Sequence, residues 1–340
     1  MDKKERAFIT GGTGFLGQNL APFLVERGYE VVCYVRKSSH TDILEKLGAT
    51  LVYGDLGDED ALAQAMDGAS VVFHLAACIS ALSKKQMMDI NCHDTEVVAR
   101  AAARQNPLPK FIYVSSLAAA GPSSFSRPHT EDDTPSPISN YGHSKLAAEE
   151  ALRQFAPKLE ITILRPGIIF GPHDHEVRKW LVAIKLSGIF FIPALRKYRF
   201  SFIHAEDMCD AMILAAERGE RLPAQKSADH PGEGIYYVAH PQNLNYFEMG
   251  KIMGKAVGRK AFVLPVSVPT MWIAGLGGEI IGRIRRKPCA LNRDKCREAL
   301  AGSWTCSAQK AVEQLGFKNR RSLQEQFDDA ASFLRECKIS

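Results

Sequence analysis

The sequence predicts an α/β fold in which a doubly wound parallel sheet is joined to a smaller, mainly helical C-terminal lobe. Three observations lead to this prediction. Short apolar runs alternate with helical patterns up to about residue 172. The first of these runs ends in a glycine-rich turn that opens a helix. The chain has 340 residues, which is enough for a sheet domain and a second lobe.

The first strand, turn and helix have the form of a dinucleotide-binding unit of the Rossmann type. An apolar run at residues 7–9 precedes glycines 11, 14 and 17. The first glycine can adopt a turn that a side chain would forbid, the second lets the backbone approach a pyrophosphate, and the third lets the helix pack closely on the strand. The helix N-terminus then offers unpaired N–H groups to the phosphates. The predicted cofactor contacts in this turn are Gly11, Thr13, Gly14, Phe15, Leu16 and Gly17.

The second strand, predicted at residues 30–35, ends at Arg36 and Lys37. A carboxylate at this place would bind the adenosine ribose hydroxyls and repel a 2′-phosphate, whereas two cations attract that phosphate. The pattern therefore favours NADP(H) over NAD(H). The alternative is that both side chains are merely solvated, in which case NAD(H) is the cofactor.

The third and fourth strands supply further predicted cofactor contacts. The run at 50–53 is followed by Asp55 and Leu56, and the Asp55 carboxylate could accept a hydrogen bond from the adenine amino group. The run at 71–77 ends in Ala76 and Ala77, which are small enough for a cofactor to lie across them. For the other residues of these runs, an ordinary core position is an equal alternative.

The second half of the pattern carries catalytic chemistry. A fifth strand at 111–114 ends in Ser115 and Ser116, and Tyr141 and Lys145 stand four residues apart. On a helix that spacing puts the tyrosine and the lysine on one face. An ammonium group beside the phenol would favour phenolate, so we expect a lowered pKa for Tyr141. Tyr141 can then act as base to an alcohol or as acid to a carbonyl, and a serine hydroxyl can hydrogen-bond the reacting oxygen.

Together these motifs resemble the extended short-chain dehydrogenase/reductase family, also called the NAD-dependent epimerase/dehydratase superfamily. The resemblance implies a catalytic set of Ser116, Tyr141 and Lys145, with Lys145 also binding the nicotinamide ribose. It favours Ser116 over Ser115 because the family's serine or threonine stands five residues before a glycine, here Gly121. It further implies a homodimer formed through two helices. By the same resemblance, the block at 164–172 adds Pro166, Gly167 and Ile168 as cofactor contacts. The matching segments include the glycine turn, Gly54-Asp55, residues 74–77, Asn91, residues 114–116, Tyr141 with Lys145, residues 164–172 and residues 202–207.

Departures from the family pattern narrow the expected activity. The family's dehydratases have two acids after the catalytic hydroxyl, whereas this chain has Leu117 and Ala118. The family's sugar-nucleotide epimerases usually have an arginine just before a Phe-Ile-His sequence, which here is residues 202–204. Phe200 takes the position of that arginine in this chain, and Arg199 stands one residue before it. The basic end of the second strand and the segment 291–295 are more similar to the branch of 3β-hydroxysteroid dehydrogenases and dihydroflavonol-type reductases. Substrates in that branch are commonly apolar or polycyclic.

We therefore expect an NADP(H)-dependent oxidoreductase that interconverts a secondary alcohol and a ketone on an apolar or polycyclic substrate that is steroid-, flavonoid- or lipid-like. The alternative is an NAD-dependent nucleotide-sugar epimerase. A non-catalytic nucleotide-binding scaffold is a third hypothesis, against which the intact catalytic set argues. The predicted dinucleotide-binding domain covers 1–172, with 202–239 returning to it, and the predicted substrate lobe covers 173–201 and 240–340.

Composition excludes several other classes. The net charge of +5 is mild and its basic residues are scattered, so no nucleic-acid partner is expected. The N-terminus has no apolar targeting region, which favours a cytoplasmic protein. Eight cysteines without a CxxC pair indicate reduced thiols. His173, Asp174 and His175 form a cluster, but no further ligand completes it, so we predict no metal site there and prefer a substrate contact or a plain loop.

The segment 263–287 is largely apolar and ends in four basic residues. Its prolines, glycines and Glu279 argue against a membrane-spanning helix. Peripheral membrane contact is one interpretation, and it would suit delivery of a lipid-like substrate. The alternatives are a helix packed within the substrate lobe or a dimer face.

Overall fold

The computed structural model describes residues 4–194, 196–289 and 291–336. Within these residues, seven parallel strands form the main sheet and three further strand pairs lie outside it. The strands are β1 (Arg6–Thr10), β2 (Glu30–Val35), β3 (Thr50–Tyr53), β4 (Val71–His74), β5 (Lys110–Val114), β6 (Ile161–Pro166), β7 (Ile168–Phe170), β8 (Ile189–Pro193), β9 (Arg199–Phe200), β10 (Phe202–His204), β11 (Ile235–Val238), β12 (Leu244–Asn245) and β13 (Phe262–Val266).

The α-helices alternate with the strands of the main sheet and then dominate the C-terminal part. They are α1 (Phe15–Glu26), α2 (Asp42–Lys46), α3 (Glu59–Ala65), α4 (Lys84–Met88), α5 (Asp94–Ala102), α6 (Asn140–Leu152), α7 (Glu176–Ser187), α8 (Ala205–Arg218), α9 (Tyr246–Ala256), α10 (Val268–Arg285), α11 (Arg293–Ala301) and α12 (Leu323–Glu336). A π-helical turn at Asp89–His93 joins α4 to α5, and a 3₁₀ turn at Leu117–Ala119 follows β5.

Helices cover both faces of the main sheet. On one face, Ile9 of β1 packs in a fully buried cluster with Leu20 of α1 and Met212 of α8. On the other face, Phe8 of β1 packs in a second cluster with helices α3, α5 and α6. Burial on both faces explains why the strands read as continuous apolar runs rather than as alternating ones. The predicted doubly wound fold is confirmed.

The strand order is β11-β6-β5-β4-β1-β2-β3. The chain order reverses between β1 and β4, and in open parallel sheets a ligand binds outside the carboxyl ends of the strands at such a switch point. Five of the predicted site residues lie at or just beyond these ends, namely Gly11, Arg36, Asp55, Ala76 and Ser116. The topology therefore brings together residues that are up to a hundred positions apart in the sequence.

A third buried cluster lies outside the main sheet and includes Leu181 of α7, Phe190 of β8, Met249 of α9 and Phe327 of α12. The described part of the chain contains no helix long and apolar enough to cross a bilayer. The boundaries predicted at 172, 201 and 239 stay predictions, as do the homodimer and the cytoplasmic location. One of the eight cysteines, Cys337, lies outside the described residues.

Candidate active site

The glycine turn between β1 and α1 has the geometry that the sequence predicts. Gly11 has φ +74°, and a Cβ there would lie 2.7 Å from the Ala76 backbone nitrogen. A Cβ on Gly17 would lie 2.5 Å from the Gly11 oxygen, so this glycine lets α1 pack against the turn itself. Gly14 is exposed and directly precedes α1, while Thr13, Phe15 and Leu16 lie in the turn and the first turn of the helix. The helix N-terminus thus faces the space between β1 and β4.

The predicted adenosine contacts lie at neighbouring strand ends. Arg36 and Lys37 directly follow β2 and both are exposed. Asp55 is also exposed, and its Oδ1 accepts a hydrogen bond from the Gly57 backbone N–H at 2.9 Å. Leu56, Ala76, Gly167 and Ile168 are partly exposed, Ala77 is exposed and Pro166 is buried. The structure therefore places Arg36, Asp55 and Ala76 at neighbouring strand ends, and Pro166, Gly167 and Ile168 where β6 ends and β7 begins.

The two serines after β5 have different environments. Ser115 is buried and its hydroxyl donates a short hydrogen bond to Glu149, which also accepts from Arg165 Nε at 3.0 Å. Ser116 is partly exposed, and its Oγ accepts from the Ala118 backbone N–H at 3.1 Å. Because the Ser115 hydroxyl is committed to a buried ion pair, Ser116 is the serine whose proton can reach a substrate oxygen.

Two glycines allow close backbone contacts around the turn that follows Ser116, one with the tyrosine helix and one with the loop before it. A Cβ on Gly142 would lie 2.3 Å from the Ala118 carbonyl oxygen, so only glycine allows α6 to approach this closely. Gly121 has φ +92°, and a Cβ there would lie 2.1 Å from the Ser136 oxygen. The residue before Gly142 is Tyr141, which is thereby held beside Ser116.

Lys145 lies one turn further along α6 and is almost fully buried. Its Nζ donates to the Val114 carbonyl at 2.7 Å and lies 4.3 Å from the centre of the Tyr113 ring. Burial lowers the pKa of Lys145 to about 7, although the Glu149 carboxylate opposes the shift. The lysine is thus fixed at the end of β5, where burial disfavours its protonated form.

The expected lowering of the Tyr141 pKa is wrong for the chain by itself. Burial raises the pKa of Tyr141 to about 12, a hydrogen bond with Ser116 opposes the shift, and the negative charge of Glu298 adds to it. Burial also disfavours the charged form of Lys145, whose pKa falls to about 7. At neutral pH the phenol therefore carries its proton, which suits a proton donor.

Asn91 in the π-helical turn links the strand ends to the catalytic helix. Its side chain accepts from the Cys78 backbone N–H at 2.8 Å and donates to Ser144 Oγ at 2.9 Å. Since Ser144 lies between Tyr141 and Lys145 in α6, this amide fixes the helix relative to the loop after β4. Asn91 thus fixes the helix that carries the predicted catalytic residues Tyr141 and Lys145.

Three residues of the C-terminal part reach the site, although sequence reasoning gave them no role there. Lys295 Nζ lies 5.2 Å from the centre of the Tyr141 ring, and both carboxylate oxygens of Asp294 accept from the Asn140 backbone N–H, at 2.9 and 3.0 Å. Glu298 forms an ion pair with Lys295 at 2.7 Å. The sequence marks the segment 291–295 only by its similarity to the family. Its charged residues were the signal that could have indicated a place at the site.

A cavity of about 300 Å³ is lined by Asn140, the residue before Tyr141, and by Lys295, whose Nζ lies over the Tyr141 ring. Its walls come from the loop after β4, the N-terminus of α6, the inner side of α10 and the start of α11. Lining residues include Leu82, Met87, Asn140, Glu279, Arg283 and Lys295. The cavity is thus built from the sheet domain on one side and from the C-terminal helices on the other.

The cluster after Gly171 has a structural role. Both Asp174 carboxylate oxygens accept backbone N–H groups at the start of α7, from Glu176 at 2.9 Å and from Val177 at 2.8 Å. Among the residues that the structure describes, no group of three or more His, Cys, Asp or Glu side chains is placed to hold a metal ion.

Fold and site together define an oxidoreductase that depends on a nicotinamide nucleotide. The chain belongs to the NAD dependent epimerase/dehydratase family, whose model matches residues 7–228. It is 28% identical over 332 residues to a 4-hydroxy-2-methyl-3-oxo-4-farnesyl-3,4-dihydroquinoline-1-oxide ketoreductase of Stigmatella aurantiaca, covering 95% of both chains. It is 29% identical over 306 residues to a ceramide reductase of Caulobacter vibrioides, covering 90% of this chain and 87% of the relative.

The fold is also that of solved epimerases. The UDP-glucose 4-epimerase of Thermotoga maritima, solved with UDP-glucose, superposes with a TM-score of 0.78 at 20% identity. The match covers 98% of this chain and 99% of the epimerase. At that identity the likeness concerns the fold alone.

Proposed function

We propose that this protein is an NADP(H)-dependent oxidoreductase that interconverts a secondary alcohol and a ketone on an apolar or polycyclic substrate, with reduction as the favoured direction. The observation that carries the proposal is the placement of Tyr141 beside Ser116, on a helix whose first residue, Asn140, lines the cavity. A phenol that retains its proton at neutral pH is suited to protonating a carbonyl oxygen.

In the proposed mechanism, Ser116 donates a hydrogen bond to the ketone oxygen and orients it toward Tyr141. NADPH, held by the glycine turn and the strand ends, would supply the hydride that the carbonyl carbon accepts. As the C=O double bond becomes a C–O single bond, the Tyr141 Oη proton passes to the oxygen and yields the alcohol. The Lys145 ammonium would bind the nicotinamide ribose and stabilise the phenolate that remains. Solvent then returns the proton to Tyr141.

The residues at the position of the epimerase arginine argue against a nucleotide sugar. Arg199, the nearest match to the epimerase arginine, donates to the Asn243 carbonyl at 2.9 Å and lies 3.7 Å from the Glu248 carboxylate. Phe200, which takes the epimerase position, is buried. Neither residue therefore offers a cation to a diphosphate. Leu117 and Ala118 are buried as well, so this turn provides no acids for dehydration.

The two curated relatives point in the same direction. One is named for a farnesylated quinoline oxide and the other for a ceramide, and both names describe reduction of molecules with long apolar chains. Each alignment spans most of both proteins. We therefore extend the lipid-like substrate class to this chain.

The substrate class is tested by mixing the full chain with NADPH and one of several ketones, and following loss of the reduced nicotinamide absorbance. The panel contains an N-acylated long-chain amino ketone, a 3-ketosteroid and a flavanone, and UDP-glucose in a coupled isomerisation assay. We expect turnover of at least one apolar ketone and none of UDP-glucose. Interconversion of UDP-glucose and UDP-galactose without net nicotinamide change would overturn the proposal in favour of the epimerase.

The cofactor preference is tested by titrating the protein with NADPH and NADH while following nicotinamide fluorescence. Charge-assisted hydrogen bonds are worth about 1.5–3 kcal/mol, so the double variant Arg36→Ala and Lys37→Ala should lose roughly tenfold to a hundredfold or more in NADPH affinity. Its NADH affinity should change little. Lys46→Ala, which removes an exposed lysine of α2, is the matched control. Equal effects of the double variant on both nucleotides would contradict the NADP(H) preference.

A further inference from the structure

The outer side of α10 exposes a row of large apolar side chains. The row consists of Trp272, Ile273, Leu276, Ile280 and Ile284 and is called the outer face of α10 below; Ile273 is 72% exposed and Ile284 is 77% exposed. Their spacing of three and four residues places them along one side of the helix. A surface helix ordinarily turns such a side toward the core. Here the apolar side points away from the protein.

The inner side of the same helix is made of glycine. A Cβ on Gly275 would lie 2.7 Å from Cys296 Sγ, and a Cβ on Gly278 would lie 1.9 Å from the Leu291 carbonyl oxygen. The helix backbone therefore packs directly on the residues around the start of α11. Turning α10 to bury the isoleucines would push larger side chains into that contact, so close packing of the glycines fixes the apolar side outward.

The C-terminal end of α10 is strongly basic. Arg283, Arg285, Arg286 and Lys287 are all exposed. Glu279, the acidic residue of α10, forms an ion pair with Arg293 at 2.8 Å. Within the described residues, none of the four cations lies within 4 Å of a carboxylate. The outer face therefore ends in a cluster of positive charge, which complements an anionic surface.

This combination favours a lipid bilayer over a second copy of the chain. Apolar side chains next to exposed arginines and lysines suit the boundary between acyl chains and anionic headgroups. A second copy presenting the same face would bring four further cations, while its Glu279 is already paired with Arg293. Such a contact would leave the basic cluster without acidic partners.

The side of α10 that carries Glu279 and Gly282 lines the cavity beside the start of α6. Glu279, Gly282 and Arg283 line that cavity, together with Asn140 of the catalytic helix. One helix thus lies between the site and the outer surface. A molecule that leaves a bilayer at α10 would have a short path to the cavity.

We infer that α10 docks the protein on an anionic lipid bilayer. The outer face of α10 inserts among the acyl chains, and the basic cluster contacts the phosphate headgroups. The inference deepens the proposed function, because it means that the ketone is taken from the membrane. Docking itself requires neither cofactor nor substrate.

The test is co-sedimentation of the full chain with vesicles of phosphatidylcholine alone or mixed with phosphatidylglycerol, without cofactor or ketone. We expect binding to the mixed vesicles and weak binding to phosphatidylcholine. The double variant Ile273→Ser and Ile280→Ser should lower the partition coefficient about tenfold or more. Reversing two charges with Arg285→Glu and Arg286→Glu should have an effect of at least that size, and high salt should reproduce it.

Two matched controls remove exposed apolar side chains from other elements, Ile43→Ser in α2 and Val312→Ser near the C-terminus. Both should bind vesicles like the parent, and circular dichroism should show that every variant melts as the parent does. Vesicle binding that is unchanged in the Ile273→Ser and Ile280→Ser variant would overturn the inference. The inference would also be overturned if the parent were a dimer that binds no vesicles and the Ile273→Ser and Ile280→Ser variant were a monomer. The outer face of α10 would then be a dimer interface.

The inference and the proposed function can fail separately. Tyr141→Phe should sediment with vesicles like the parent although it lacks turnover. The outer-face variant should turn over a short-chain, water-soluble ketone normally and lose activity only toward a ketone held in vesicles. Sedimentation without turnover of any ketone would leave the docking inference standing and reject the proposed function.

Discussion

The two helices α1 and α10 both use glycine to approach the neighbouring backbone, but they turn their apolar sides in opposite directions. In α1, Gly17 contacts the turn, and Leu20 and Leu24 on the same side are fully buried. In α10, Gly278 contacts the Leu291 carbonyl while Ile273 points outward on the other side. The difference shows that glycine determines how closely a helix approaches the neighbouring backbone. The positions of the apolar side chains determine whether they are buried with the glycines or face outward on the other side.

The comparison extends to the site between these helices. The sheet side contributes the glycine turn and the catalytic residues, while the α10 side contributes the outer wall of the cavity. The sheet side is enclosed by two buried clusters. The α10 side combines buried glycines with exposed isoleucines. Substitutions on the two sides should therefore affect different measurements.

The largest effect is expected on the sheet side, at Tyr141. Removing its proton with Tyr141→Phe should lower kcat about a hundredfold to ten-thousandfold, because general acid catalysis contributes that much. NADPH affinity should remain near that of the parent, as measured by nicotinamide fluorescence. Tyr29→Phe, which removes a hydroxyl at the other end of α1, is the control. Full turnover by Tyr141→Phe would refute the proposed mechanism.

The second effect concerns the buried Lys145. Its pKa is about 7 in the folded chain against 10.5 for the unperturbed side chain. Between these values the unfolded chain binds more protons at this site than the folded chain does, so this group makes the free energy of unfolding rise with pH. The slope contributed is up to about 1.4 kcal/mol per pH unit. Below pH 7 the lysine is protonated in both states, and its contribution to the slope disappears.

Denaturant unfolding at several pH values checks this prediction. Lys145→Met should lack the rise between pH 7 and pH 10 that the parent shows, whereas Lys46→Met, an exposed lysine, should retain it. Identical pH profiles for the parent and Lys145→Met would show that the buried ammonium is not disfavoured. The comparison of slopes removes the contribution of groups that titrate in all three proteins.

The smallest effect tests the glycine side of α10 itself. Gly278→Ala places a Cβ against the Leu291 carbonyl and should lower the free energy of unfolding by about 1–3 kcal/mol, as overpacking does. Gly277 is the next residue on the helix and has no neighbouring atom within 4 Å of an added Cβ. Gly277→Ala should therefore be neutral or stabilise the helix by up to about 1 kcal/mol. Equal melting of the two variants would mean that α10 does not pack through its glycines.

Much of the sheet domain could be predicted from the sequence because its signals are local. A turn that requires positive φ needs glycine at one position, as Gly11 shows, and a spacing of four places Tyr141 and Lys145 on one helix face. The strand ends were readable from apolar runs. Ser116 was chosen over Ser115 from the distance to Gly121, and the environment of each serine now gives that choice a physical reason.

The direction of the Tyr141 pKa shift could not be predicted from local sequence signals. The spacing gave the distance to Lys145 along the helix, but not the burial of both groups or the negative charge of Glu298 from α11. Electrostatic shifts depend on every charge and on the water that surrounds a group, and these come from distant parts of the chain. The expected lowering was therefore wrong.

The sequence by itself determined the nucleotide-binding turn, the doubly wound fold class and the helix face shared by Tyr141 and Lys145, because backbone sterics and helix periodicity act over a few residues. Only the tertiary structure decided that Lys295 lies over Tyr141 and that the isoleucines of α10 face outward. The first depends on where α11 packs relative to α6, more than a hundred positions earlier in the chain, and the second depends on the contact of the α10 glycines with residues around the start of α11. Packing of that kind is decided by the fit of whole surfaces, which no local pattern records.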